Sequence, residues 1–153
     1  MVAIDLNGTI KTFYTVPKTW DNVIGLNYLS ENELQQYGFY NVVEPEITKS
    51  QELGNLYFDD VNDVFTYEIN NKTFSETIAE LKESKISELK NTYNRVLQAT
   101  DWYIIREAEG GTATPQEILD ARTTYRNECA TKESEIQALT TKANVINYEL
   151  PEF

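Results

Sequence analysis

The sequence predicts an α+β protein: a small antiparallel β head with a short helix, then a long antiparallel helical hairpin. Three observations carry that prediction. Asn7-Gly8 and Asp60-Val61-Asn62-Asp63 each separate short runs of alternating β-branched and aromatic residues, the pattern of β-hairpins. From Thr73 onward the apolar residues recur at three- and four-residue steps, the period of an amphipathic helix. Gly110-Gly111 interrupts that pattern between two stretches that read as capping boxes, where a helical chain folds back. The expected division is a head over 1–72 and a helical hairpin over 73–150, with its turn at 110–113.

In the head, Val2-Ala3-Ile4-Asp5-Leu6 and Thr9 to Tyr14 flank Asn7-Gly8, a dipeptide suited to a type I′ turn because both positions need positive φ. Pro17 closes the second strand, and Trp20 is expected to pack under the hairpin. Ser30-Glu31-Asn32-Glu33 spells a capping box for a short helix through Leu34 and Tyr37, and Gly38 stands where a left-handed C-terminal cap belongs. Phe39 to Val43 reads as a strand ended by Glu44-Pro45. Leu56-Tyr57-Phe58 and Val64 to Ile69 form a second hairpin, with Phe65, Tyr67 and Ile69 on one face and Thr66 and Glu68 on the other. Elements this short predict a head with little stability of its own.

Thr73-Phe74-Ser75-Glu76 reads as the capping box of the first long helix. That helix carries Ile78, Leu81, Ile86, Leu89, Tyr93, Val96, Leu97 and Ile104 as one apolar stripe. Unbroken to Glu109 it would run roughly 50 Å; Asp101 is the one position where it could be capped afresh. Thr114-Pro115-Gln116-Glu117 reads as the next start, with proline at the first helical position. The second helix shows a heptad-like seam of Ile118, Tyr125, Lys132, Leu139 and Ile146, interleaved with Arg122, Cys129, Ile136 and Ala143. Arg122 and Lys132 weaken it as a coiled coil standing alone. Contacts within the hairpin are the plain reading of the seam, and a partner or symmetry mate at its polar positions the sharper one.

Composition narrows function more by exclusion than by assertion. A net charge of −12 speaks against nucleic acid and against anionic membranes, and suits a basic partner. The chain has no histidine and one cysteine, which removes imidazole-based nucleophilic catalysis and the common zinc sites. No signal-peptide pattern opens the sequence, so a cytoplasmic setting is expected. Asp59, Asp60, Asn62 and Asp63 lack the glycine and glutamate of a calcium loop and read as a solvated turn. Glu31, Glu33, Glu44 and Glu46 supply carboxylates without any pocket-forming motif, and Gly110-Gly111 lacks the strand and lysine of a phosphate loop. Neither enzyme nor cofactor nor metal is expected. The ten tyrosines and two tryptophans suit protein-contact surfaces, and they suit equally a thin core that needs bulky side chains.

Thr100-Asp101-Trp102-Tyr103-Ile104-Ile105-Arg106, then Glu109-Gly110, Pro115 and Tyr125-Arg126, resembles the C-terminal helical region of tail assembly chaperone and tail-fibre assembly proteins of tailed bacteriophages. Tyr37 to Pro45, Leu53 to Phe58 and Val64 to Tyr67 add to the likeness, which covers about half the chain. The resemblance implies a phage protein that helps a tail fibre fold, assemble or attach, working in the host cytoplasm or staying in the virion. It implies that Asp101, Trp102, Arg106, Tyr125 and Arg126 hold the hairpin tip and then touch a partner, with Tyr103 beside them. Tyr37, Phe39 and Tyr40 are the surface candidates of the head. The implied partners are tail-fibre or other tail proteins, with self-association possible. Such proteins often end in a Trp- and Pro-containing tail, whereas this chain ends in Pro151-Glu152-Phe153. That departure raises a second reading, a permanent component of tail, fibre or baseplate. A third is a helical-hairpin adaptor unrelated to phage.

Overall fold

The computed structural model describes residues 1–153 and divides them into two compact units, Met1–Lys72 and Thr73–Phe153. The fold is mixed α/β, a small β unit followed by helices.

The first unit holds strands β1 (Val2–Asp5), β2 (Ile10–Phe13), β3 (Thr19–Trp20) and β4 (Val23–Ile24). Helix α1 (Glu31–Gln36) and strands β5 (Tyr40–Val43), β6 (Gln51–Asp59) and β7 (Val64–Asn71) follow. Asn7 and Gly8 both take positive φ, 55° and 87°, as the type I′ turn requires. Glu33 accepts from the amide and the hydroxyl of Ser30 (2.8 and 2.7 Å), and Gly38 ends α1 at φ 80°. Trp20 stacks edge-on against Phe13 and Phe39, 5.5 Å from each. These rings close a core of Val2, Ile4, Leu26, Leu34 and Phe39.

The sheet departs from an antiparallel one. Its order is β2-β1-β5-β7-β6, and β5 pairs with β7 in parallel, Val42 opposite Phe65. The hairpin β6-β7 turns its second strand inward because β7 carries Phe65, fully buried against Tyr40 and Phe58. Lying next to β5, that strand runs in the same direction. The hairpin is also longer than the sequence suggested, and β6 bulges between Leu53 and Leu56. Ile69 shares the face of Phe65 and Tyr67 but is exposed.

The second unit holds α2 (Ile78–Gln98), α3 (Asp101–Ala108), α4 (Gln116–Ala138) and α5 (Lys142–Asn147). Both predicted capping boxes fail. Thr77, not Thr73, caps α2: its hydroxyl accepts from the Glu80 amide, and the Glu80 carboxylate accepts from the Thr77 amide at 2.7 Å. The pattern Thr-x-x-Glu occurs twice here, and only the second joins the apolar stripe; the Phe74 carbonyl instead accepts from Lys142 Nζ at 2.9 Å. Thr114 leaves the start of α4 to Pro115. Its amide bonds Glu107 and its hydroxyl bonds the Tyr103 carbonyl.

The first long helix is broken, with α2 ending at Gln98 and α3 opening at Asp101. The second stops at Ala138, and Thr141 caps α5 by accepting from the Asn144 amide, so Ile146 belongs to a different helix. Between α3 and α4, Gly110 (φ 84°) and Gly111 form a Schellman turn. The Gly111 amide reaches the Arg106 carbonyl and the Gly110 amide that of Glu107. A Cβ at Gly111 would meet Arg106 Cγ at 2.7 Å and its carbonyl oxygen at 2.8 Å, so only glycine fits.

The core of this unit is Ile86, Leu89, Tyr93 and Ile136, with Tyr125, Cys129, Tyr148 and Leu150 packed around it. Removing a side chain such as Leu89 from water contributes about 1.5–3 kcal/mol. Polar contacts flank the core: Lys82 Nζ to the Gln137 carbonyl (2.7 Å), Lys90 to Glu133 (2.8 Å) and Tyr93 Oη to Glu128 (3.4 Å).

Candidate functional site

The residues singled out from Thr100 to Arg126 separate into three environments. The first is buried. Arg122, expected on the seam as a possible partner contact, points inward with 7% of its surface exposed. Its Nη1 donates to the Leu97 carbonyl and to Thr100 Oγ1 (2.6 Å each), and its Nη2 to Asp101 Oδ1 (2.8 Å). The guanidinium therefore spans the break between α2 and α3, satisfying a carbonyl at the end of one helix and the first acid of the next. Charge-assisted bonds of this kind are the strong ones. Asp101 thus has a structural partner inside the unit.

The second environment is the outward side of α3. Trp102 keeps 52% of its surface exposed, and Ile105 is exposed beside it. The rings of Trp102 and Tyr103 lie with centroids 3.9 Å apart, and the Arg106 guanidinium stands 4.8 Å from the Trp102 ring and 5.4 Å from that of Tyr103. Arg106 Nε also donates to the Thr112 carbonyl at 3.2 Å. The cation is therefore held over the rings from two directions, by cation–π attraction and by the turn. Below it, the hydroxyl and amide of Thr114 beside Glu107 hold that carboxyl below the usual carboxylate range.

The third environment separates Tyr125 and Arg126 from the α3 group. Tyr125 lies in the aromatic part of the core, 6.4 Å from Tyr93 and 5.6 Å from Phe153, while Arg126 is exposed. Burial and the Glu128 carboxylate push the Tyr93 hydroxyl up, and burial pushes the Cys129 thiol up. A thiol so placed is held in its neutral, unreactive form.

In the head, Phe39 is corrected from surface to core. Only 1% of it is exposed, because it stands between Phe13 and Trp20. The alternation predicted for its strand puts Phe39 on the face of Val2, and α1 covers that face. Tyr37 is exposed at the end of α1, and Tyr40 is half-buried, 4.5 Å from Phe58. Three of the acidic candidates have local partners. Glu31 accepts from Asn41 Nδ2 at 2.8 Å. The Ser30 hydroxyl and amide hold the Glu33 carboxyl low. Asp59 is lowered by the Asn62 amide group and the Val61 backbone, a self-contained turn.

What the sequence reading missed is the division of labour between Arg106 and Arg122. The signal was available: Arg122 falls between Ile118 and Tyr125 on the inward seam, whereas Arg106 follows Trp102 by one helical turn.

The chain matches no family model, no curated protein and no solved structure. No helix is long and apolar enough to cross a membrane.

Proposed function

We propose that this chain is a non-enzymatic tail protein of a tailed bacteriophage. It acts by protein–protein contact in the folding, assembly or attachment of a tail fibre. The observation that carries the reading is the Trp102–Tyr103–Arg106 stack, half open to solvent on α3, within the stretch that resembles the tail assembly proteins. Tryptophan, tyrosine and arginine dominate binding energy at protein interfaces. A ring pair already stacked under a fixed guanidinium loses little freedom when a partner covers it.

In this reading Thr73–Phe153 works as an antiparallel helical hairpin with the stack near its closed end. The order of the contacts supports it: Lys82 meets Gln137, Lys90 meets Glu133, Tyr93 meets Glu128 and Leu97 meets Arg122. The test is co-purification of fibre proteins from infected cells with the intact chain and with Trp102→Ala. Loss of the fibre proteins with unchanged circular dichroism supports the stack as the contact surface. Undiminished capture removes it. Mass spectrometry of mature particles separates the two tail readings: stoichiometric presence means a permanent component, and absence means a protein that leaves after assembly.

A further inference from the structure

The two edges of the five-stranded sheet are built differently. β2 is short and carries Lys11, whose ammonium stands 5.0 Å from the Trp20 ring and 5.4 Å from that of Phe13. A charged, brief edge of this kind resists pairing with another chain. At the other edge β6 runs for nine residues without lysine, arginine or proline, and β7 is its only neighbour. No turn or loop backbone hydrogen bond uses residues 52–59, and the Asn55 amide at the bulge is taken by the Glu68 carboxylate of β7, so the remaining outer amides and carbonyls stand ready as a template.

The register defines what would lie against it. Leu53, Leu56 and Phe58 pair with Ile69, Tyr67 and Phe65 and so share one face, the bulge at Gly54-Asn55 keeping them in phase. Glu52, Tyr57 and Asp59 pair with Asn70, Thr66 and Val64 on the other. Val43 also pairs with Thr66, so exposed Val43 and Tyr57 flank it in one row. We propose that β6 is a docking edge that takes an extended segment of a partner protein as a sixth strand, apolar on the side of Leu56 and Phe58 and basic on the side of Glu52 and Asp59.

Charge selects that occupant over a second copy of this chain. Two β6 strands paired antiparallel near full overlap bring Glu52 of each against Asp59 or Asp60 of the other, and like charges so placed repel. A strand bearing lysine or arginine there gains where a copy loses, and the net charge of −12 draws the same kind of partner from a distance. The inference rests on the reading that the chain works by protein–protein contact, and it adds the partner's conformation and charge.

The probe is a capped synthetic peptide of alternating lysine and valine, titrated at physiological salt with amide hydrogen exchange as readout. Slowed exchange confined to 52–59 is expected. A glutamate-for-lysine peptide should bind about tenfold more weakly, and a backbone N-methylated one should not bind. Tyr57→Lys, or Glu52→Lys should the first variant fail to fold, should weaken binding, while Trp102→Ala leaves it unchanged. Protection elsewhere, dependence on Trp102, or a dimer that Tyr57→Lys dissolves would overturn the proposal. Fibre proteins captured equally by intact chain and Tyr57→Lys would sink the edge inference and leave the tail reading standing. Peptide binding on β6 without any capture of tail proteins would do the reverse.

Discussion

Tyr93 and Trp102 are large aromatic residues on consecutive helices, yet one is enclosed and the other stands half in water. Tyr93 is closed off by Leu89, Ile136, Tyr125 and Phe153, whereas Trp102, stacked with Tyr103 and Arg106, keeps half its surface open. Their arginines differ in the same way. Arg122 is buried with three bonded oxygens, and Arg106 lies over ring faces. Helical spacing tells which side chains share a face. Whether that face is covered depends on what the rest of the chain brings to it, and in α3 little is brought.

The largest effect should come from Leu89→Ala, which empties a fully buried position and should cost about 2–5 kcal/mol, read by urea unfolding. A loss under about 1 kcal/mol would mean that the core is looser than its burial implies. Arg122→Met should follow at about 1–3 kcal/mol, since it gives up three charge-assisted bonds while Asp101 stays partly solvated. Arg106→Met should cost less than about 1 kcal/mol. Equal costs for the two arginines would break the comparison. Trp102→Ala should also stay within about 1 kcal/mol, so that its effect on partner capture is read without unfolding.

A last effect is a pH dependence, confined to the alkaline range. Burial, together with the Glu135 carboxylate that accepts from its hydroxyl, pushes Tyr148 up to about 12. An unfolded tyrosine titrates near 10, so the contribution of Tyr148 is complete below that pH and is lost as pH rises towards about 12. Thermal midpoints should therefore fall over that interval. Tyr148→Phe should flatten the fall, leaving a residual slope from Tyr93, which is raised as well. An unchanged slope would remove Tyr148 as its source.

Local chemistry was the legible part of the fold. Asn7-Gly8, Ser30 with Glu33, Gly38 and Gly110-Gly111 each do what their sequence dictates, because turns and caps depend on a few neighbouring residues. The failures arise where two local options compete or a distant residue decides. Thr73 and Thr77 both offer a glutamate three residues on, and only the packing of the stripe selects Thr77. The break at Thr100 shows in the sequence only as Asp101, and its stabiliser is Arg122 on another helix. The parallel pairing of β5 with β7 depends on which hairpin strand has Phe65 to bury. Of the site candidates, Trp102, Tyr103 and Arg106 on α3 do come together, while Tyr125 joins the core and Phe39 lies inside the head. Residue type alone could not separate those outcomes.

The placement of the two tryptophans has a practical consequence. Trp20 belongs to the aromatic cluster of the first unit and Trp102 to the open side of the second, so each unit carries one tryptophan of its own. Emission from Trp20, packed among rings, should lie to the blue of emission from water-exposed Trp102. Trp102→Phe leaves a protein whose tryptophan emission, excited to the red of tyrosine absorption, reports the head alone, and Trp20→Phe one whose tryptophan emission comes only from the helices. Whether the two units melt together or one before the other then becomes visible as a difference between two colours.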